Sequence, residues 1–383
     1  MNYRLDYPEI REGISKLCTD FPGAYWQKCD REQAYPSEFV KALTMGGYLS
    51  ALIPEEYGGL GLPISAGAAI LEEIHRSGCN AAACHAQMYT MGTVLRHGSD
   101  TQKSEFLPSI ADGTLRLQAF GVTEPTSGTD TTSLRTRADR VGDLYIVNGQ
   151  KIWTSRAEHS DLLLLLARTT PRDQVTKKTD GLSVFLVDMR RVDGLTIRSI
   201  RTMMNHATTE LFFDDMEIPE SALIGEEGKG FEYILSGMNA ERLLISAECI
   251  GDAKWFISKA SSYASDREVF QRPIGQNQGV QFPIARAYSQ MRGAELMLRE
   301  ALNLYEKGEN PGEEANLAKL LCADASWSAA EACLQTHGGF GFAEEYDVER
   351  KFREARLYQV APISTNLLLS YIAEHVLGMP RSY

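Results

Sequence analysis

The stretch "DLYIVNGQKIWTS" (residues 143–155) decides how this chain is read. Apolar and polar side chains alternate through it around Asn148-Gly149, the two-residue period of a strand with one buried face. Short runs of similar character follow at "DLLLLLAR" (161–168), "GLSVFLVDM" (181–189) and "TELFFDDMEI" (209–218), each bounded by turn residues. Together they predict a small β domain over residues 118–225. On either side the period changes. From Tyr7 to about Leu117 apolar residues recur every three or four positions, as in "SEFVKALTMGGYLSALI" (37–53) and "ISAGAAILEEIHRS" (64–77), which reads as helices. The glycine-rich "PEEYGGLGLP" (54–63) between them is a loop. Helical spacing returns from about Gly230 and runs to Leu377, broken at "DREVFQRPIG" (266–275) and "THGGFGFAEEYD" (336–347). Within it "EANLAKLLCADASWSAAEACLQ" (314–335) offers good helix formers and small residues for close helix contacts. The expected fold is mainly α with a central β domain: helices over 1–117, strands over 118–225, and a helical bundle over 226–383.

A chain of 383 residues with 43% hydrophobic content can bury more than one core, since cores tend to divide above ~250 residues. A net charge of −12 with scattered Lys and Arg argues against a nucleic-acid partner. Seven cysteines without C-x-x-C pairing point away from a disulfide framework or zinc site and toward a reducing, cytoplasmic compartment. The N-terminus lacks the apolar core of a signal peptide, and no run approaches the ~20 apolar residues that membrane insertion needs. The seven histidines (75, 85, 97, 159, 206, 337, 375) show no ligand spacing, so no metal is assigned.

Three stretches carry candidate chemistry. The hydroxyls and glycines of "QAFGVTEPTSGTD" (118–130) could surround an electron-rich heterocycle or a phosphate with donors, or form an ordinary turn. Trp153 in "KIWTS" could wall a ligand or sit in a core. Gly338 and Gly339 of "QTHGGFGF" (335–342) allow close backbone approach or cap a helix, and the spacing is not that of a dinucleotide fingerprint. "GEEGKG" (225–230) likewise lacks phosphate-loop spacing.

In order and separation, "IPEEYGGLGLP", "VTEPTSGTD", "NGQKIWTS", "IPESALIGEEGKGF", "DREVFQRPIGQNQGVQ" and "LQTHGGFGFAEEYDVERKFREARLYQ" resemble the acyl-CoA dehydrogenase family across essentially the whole chain. These flavoenzymes remove two hydrogens from the α and β carbons of an acyl-CoA. The resemblance implies a helical N-terminal domain, a middle β-barrel-like domain, a C-terminal four-helix domain, a homotetramer or dimer, FAD between subunits, and electron-transfer flavoprotein as acceptor. It places Phe120, Val122 and Thr123 at the flavin pyrimidine edge and Thr129 where cofactor and substrate meet. Trp153, Thr154 and Ser155 flank the isoalloxazine, Ser155 standing where the family usually has Thr. Arg267, Phe270 and Gln278 reach the pyrophosphate and adenosine of FAD in a neighbouring subunit, with Gln271 in place of the usual Gly. Gln335, Gly338 and Gly339 contribute across the same interface, with Ser364 or Thr365 and Asn366 on the adenosine side. Asn239 and Arg242 in "GMNAER" match the Asp and Arg at the pantetheine and phosphate end of the acyl-CoA.

The reaction needs a base for the α-proton while the β-hydrogen leaves as hydride. Most of the family supplies a Glu in a Y-E-G-T stretch, where this chain reads Ala361-Pro362-Ile363-Ser364. None of these takes up a proton, and Pro362 also lacks the N–H that polarises the thioester carbonyl, leaving Ile363 or an altered oxyanion hole. A minority, including isovaleryl-CoA and long-chain types, carries the base immediately before the Arg of an R-x-x-x-A segment, here Glu241. Leu244 and Ile245 one turn on give it apolar surroundings, which would raise a carboxyl toward neutral pH. Glu248 is the fallback. A first-turn acid favouring the helix dipole is the bland role for Glu241. Ala361, where the family often has a bulky residue, suggests room for a branched or cyclic acyl group. The alternatives are a flavin-dependent oxidase, monooxygenase or desulfinase, or a non-catalytic acyl-CoA-binding scaffold.

Overall fold

A computed structural model describes residues 7–382; residues 1–6, which open the N-terminal charge pattern, and Tyr383 lie outside the described residues. Helices α1 (Pro8–Thr19), α2 (Gly23–Glu32), α3 (Ser37–Met45), α4 (Ile64–Arg76), α5 (Ala82–His97) and α6 (Asp100–Ala111) come first. Strands β1 (Leu117–Gly121), β2 (Arg137–Val141), β3 (Leu144–Ser155), β4 (Leu162–Arg168), β5 (Leu182–Asp188), β6 (Leu195–Ser199), β7 (Thr208–Pro219) and β8 (Leu223–Ile224) follow. The long α7 (Gly230–Asp266) leads to a short hairpin of β9 (Glu268–Val269) and β10 (Arg272–Pro273). Helices α8 (Gln278–Glu306), α9 (Gly312–His337), α10 (Val348–Leu357) and α11 (Thr365–Tyr371) complete the order. The succession of helices, sheet and helices agrees with the expected fold class.

Two compact units partition the chain differently from its linear order. Of the described residues, one contains Gln33–Leu62 and Ala82–Met238, the other 7–32, Pro63–Ala81 and 239–382.

In the first unit the sheet runs β6-β7-β3-β2-β4-β5-β8, with β1 added in parallel to β4. The leucine run of β4 is explained by burial on both faces. Leu162, Leu164 and Leu166 enter a core shared with Met91, Val94, Leu107 and Ile110, while Leu163 and Leu165 enter another with Tyr145, Val147, Leu211 and Phe213. A strand covered on both sides reads as a continuous apolar run. β3 alternates because only one of its faces is covered, and its inward positions include Tyr145 and Val147. The start of α6 is set by a capping box, Ser99 accepting from the Gln102 N–H at 3.1 Å and Gln102 accepting from the Ser99 N–H at 2.9 Å.

In the second unit α9 buries Ala315, Ala318, Cys322, Ala325 and Ala329, small side chains that let its neighbours approach closely. Gly251 on α7 serves the same end, because a Cβ there would stand 2.2 Å from the carbonyl oxygen of Glu72 on α4. Beside this crossing lies a buried set of charges. His75 of α4 accepts the Ala81 N–H on Nε2 at 3.1 Å, so its proton sits on Nδ1 and is donated to Asp252 of α7 at 2.8 Å. Lys351 of α10 contacts the same Asp252 carboxylate and lies 3.2 Å from Glu354, and Arg350 binds Asp347 at 2.7 Å and Glu354 at 2.6 Å. No helix among the described residues is long and apolar enough to cross a membrane.

Candidate active site

The sheet-bearing unit gathers the residues expected at a flavin. β1 ends at Gly121, and the chain leaves the sheet through Val122, Thr123 and Glu124. The Thr123 carbonyl accepts the Ile152 N–H at 2.9 Å, which ties this turn to β3. The N–H groups of Val122 and Thr123 donate to no other group among the described residues, and both residues are half-buried. Phe120 stands edge-on to Tyr89, with ring centroids 5.9 Å apart. Thr129 is exposed on a loop closed by reciprocal backbone bonds between Glu124 and Ser127, each 3.1 Å.

β3 is irregular against β7 between Lys151 and Thr154, and the bulge re-aims the side chains there. Trp153 takes a positive φ of 61° and leaves its ring 57% exposed, so the core alternative for Trp153 does not hold. Thr154 is buried, with a hydroxyl that finds no partner among the described residues. The Ser155 hydroxyl accepts from Asn205 Nδ2 at 2.8 Å and keeps its own proton to donate. The backbone N–H groups of Val122 and Thr123, the outward-facing indole of Trp153 and the Ser155 proton are the donors and apolar surface of this wall, while the Thr154 hydroxyl is buried beneath it. These residues fit the edge and face of an isoalloxazine.

Under this wall lie two residues that the motif reading passed over. Lys151 is fully buried, and its Nζ donates to the Val122 carbonyl and to Glu124 Oε1, both at 2.9 Å. Glu124 also accepts the N–H groups of Arg135 at 2.6 Å and Thr136 at 2.9 Å. Burial pushes the Lys151 ammonium down to about 8 against the opposing pull of Glu124. The signal was present in the sequence: Lys151 continues the inward register of Tyr145 and Val147, and a charge in that register requires a buried partner.

In the helical unit, α7 starts at Gly230, so Glu241 lies in the fourth turn of the helix rather than at its start. The first-turn role is therefore excluded for Glu241, since the dipole effect fades within one turn. Glu241 is 7% exposed, with Leu244 and Ile245 buried one turn on. Arg242 donates from Nη1 to Asn239 at 2.8 Å, and burial lowers its pKa while Glu241 opposes the shift. Glu248 sits two turns on, 3% exposed and 3.8 Å from His75, as part of the buried charge set.

The stretch around Pro362 is fixed from within the same unit. Lys319, fully buried on α9, donates from Nζ to the carbonyls of Tyr358 at 2.5 Å and Ile363 at 2.8 Å. Ser364 caps α11 through the Leu367 N–H, Thr365 donates to the Gln359 carbonyl at 3.2 Å, and Asn366 is exposed. Arg267, Gln278, Gln335, Gly338 and Gly339 are all exposed, and the Arg267 guanidinium lies 5.6 Å from the centre of the Phe340 ring.

Phe270 is 95% exposed at the tip of the β9–β10 hairpin, where Phe270 and Gln271 have φ of 54° and 62°. Two positive φ angles in a two-residue loop make the turn that glycine favours. A left-handed residue other than glycine costs about 1–2 kcal/mol, more than the ~0.4–1 kcal/mol of unfolded-chain entropy that glycine adds. Gln271→Gly is therefore expected to raise the stability of the free chain by about 0.5 kcal/mol, read as a higher midpoint in thermal unfolding.

Among the described residues, no group of three or more His, Cys, Asp or Glu side chains is placed to hold a metal ion. The order of helices, sheet and helices defines the architecture, and comparison with known proteins defines the class of protein. Models of the acyl-CoA dehydrogenase N-terminal, middle and C-terminal domains match residues 6–114, 119–216 and 228–377 in order. An acyl-CoA dehydrogenase of Bacillus subtilis is 32% identical over 354 residues, covering 91% of this chain and 92% of the relative. A cyclohex-1-ene-1-carbonyl-CoA dehydrogenase of Syntrophus aciditrophicus is 33% identical over 336 residues, 86% of this chain and 80% of the relative. The glutaryl-coenzyme A dehydrogenase in complex with glutaryl-CoA superposes with a TM-score of 0.90 at 27% identity, covering 98% of this chain and 95% of that one. The chain belongs to the acyl-CoA dehydrogenase family and is an oxidoreductase of that family.

Proposed function

We propose that this protein is an FAD-dependent dehydrogenase that converts an acyl-CoA thioester to its trans-2-enoyl-CoA, with Glu241 as the base. The observation that carries the assignment of the base is a contrast within one unit. Residues 361–364 offer no titratable group, whereas Glu241 is a carboxyl 7% exposed on α7 with buried Leu244 and Ile245 beside it. A carboxylate in apolar surroundings is a stronger base than one in water, which suits removal of a weakly acidic α-proton.

Bound FAD supplies the acceptor for the β-hydrogen as hydride. The Val122 and Thr123 N–H groups would hold the pyrimidine edge, Trp153 would cover the ring, and Ser155 would donate to it. Phe120, Thr129 and Thr154 complete that wall. Thr129, Asn239 and Arg242 would bind the acyl-CoA. Arg267, Phe270, Gln278, Gln335, Gly338 and Gly339, with Ser364 and Asn366, would hold the pyrophosphate and adenosine. Seven of these eight are exposed in a single chain, which favours a cofactor shared with a second copy and thus a homodimer or homotetramer. Cytoplasmic electron-transfer flavoprotein is the acceptor that fits a dehydrogenase of this kind. The small, half-buried Ala361 and the relative named for a cyclic acyl-CoA favour a branched or cyclic acyl group.

Anaerobic titration of the yellow holoenzyme with short, branched, cyclic and long acyl-CoAs tests the reading. Bleaching of the flavin by one of these classes is expected, most strongly by a branched or cyclic one. No bleaching by any thioester overturns it, and rapid oxygen uptake by the reduced enzyme would assign it to the oxidases instead.

A further inference from the structure

We propose that Lys151 is a positioning residue for the flavin: its ammonium fixes and polarises the peptide whose N–H, that of Thr123, faces the pyrimidine edge. The proposal rests on the flavin assignment above.

The Val122 carbonyl and the Thr123 N–H belong to one planar, trans peptide unit and point in opposite directions. A donor that holds the carbonyl therefore aims the N–H. Lys151 Nζ holds that carbonyl at 2.9 Å from the β3 side, which turns the Thr123 N–H away from β3. The next carbonyl, of Thr123, is held by the Ile152 N–H at 2.9 Å, and the Glu124 side chain is held by Lys151 and by the N–H groups of Arg135 and Thr136. Three successive residues are thus anchored through their acceptors, and the donors left over are those of Val122 and Thr123. Phe120, Val122 and Lys151 lie in one unit, so the arrangement is local.

An uncharged apolar side chain would fill this interior without the desolvation that an ammonium suffers. What only the ammonium provides is charge on the carbonyl side of the peptide. Hydrogen bonds in series polarise one another, so a cation on the C=O strengthens the N–H as a donor. The group that gains is electron-rich flavin, which becomes more so on reduction. Lys151 should therefore stabilise the reduced cofactor over the oxidised one. Glu124, bonded to the same ammonium at 2.9 Å, sets how much of that charge is felt.

The test measures FAD affinity and midpoint potential of the holoenzyme at pH 6, where Lys151 is charged, after confirming that the wild-type chain takes up FAD. Lys151→Met is expected to bind FAD about tenfold more weakly and to disfavour the reduced form about tenfold, a fall of about 30 mV for a two-electron couple. Lys151→Arg should restore the potential. Glu124→Gln, which keeps the size of the side chain but removes the opposing charge and one of the two acceptor oxygens, should shift the potential upward when measured at a pH low enough to keep Lys151 charged, and it decides the matter alone if Lys151→Met fails to fold. A folded Lys151→Met holoenzyme with unchanged potential, or no upward shift in Glu124→Gln, overturns the role of Lys151. A wild-type chain that takes up no FAD removes instead the flavin reading beneath it.

Discussion

Glu241→Gln is expected to bind FAD and acyl-CoA as the wild type does and to reduce its flavin about 10³-fold more slowly. Glutamine keeps the size of the carboxyl but cannot accept the α-proton. General-base catalysis is typically worth ~10²–10⁴-fold, and a thousandfold loss corresponds to about 4 kcal/mol of barrier. The measurement is stopped-flow bleaching of the flavin under anaerobic conditions, with binding followed by the spectral shift at equilibrium. Because substrate still binds, the loss should fall on the rate of reduction and leave the half-saturating concentration nearly unchanged. Wild-type reduction by this variant would move the base elsewhere. Glu248 would then be tested next, although its place 3.8 Å from His75 in the buried charge set gives it a structural task.

Asp252→Ala carries the largest expected loss of stability, about 3–5 kcal/mol, read as the shift in a denaturant midpoint. The carboxylate is fully buried between His75 and Lys351. Removing it leaves the Lys351 ammonium, itself fully buried, with Glu354 as its remaining acidic contact. A charge without its partner in an apolar interior is costlier than no charge at all. The double variant Asp252→Leu with Lys351→Met should accordingly recover part of the loss, so that the two single changes do not add. The same carboxylate predicts a limb of acid unfolding. Burial alone would raise its pKa, but Lys351 and His75 hold it down to about 2. Its folded value lies below the unfolded value of about 3.9, so its contribution is fully present above that value and is lost as pH falls toward 2. Glu354, lowered by Arg350 and Lys351 against the effect of its own burial, adds to the same limb.

What could be read from the sequence followed from how many faces each element buries. β3, β4, β5 and β7 were legible because one or both faces are covered, which leaves alternation or an unbroken apolar run. β2 ("RADRV") and β6 ("LTIRS") were not, since most of their side chains are exposed and their polar composition resembles a loop. α3 was read too far: it ends at Met45, where Gly46 and Gly47 follow and Gly47 takes a φ of 75°. The flavin wall was legible through motif order and the burial of Lys151 through its strand register, but the partner that supports it was not. Lys151 and Glu124 are adjacent only after β1 and β3 come together, a pairing 27 residues apart that local periodicity does not encode. The depth of Glu241 within α7 was hidden for a related reason: "GFEYILSGMN" (230–239) contains two glycines and a mixed face that blur the first turns of a helix.

The buried charge set also constrains how the polypeptide is made. His75 and Asp252 are 177 positions apart, and His75 and Lys351 are 276 apart. A nascent chain leaving the ribosome displays α4 long before α7, and α7 long before α10. Until Lys351 has emerged, packing α4 against α7 would enclose Asp252 without its lysine. Early closure of these helices is thereby discouraged during synthesis, and their docking becomes an event that waits for α10.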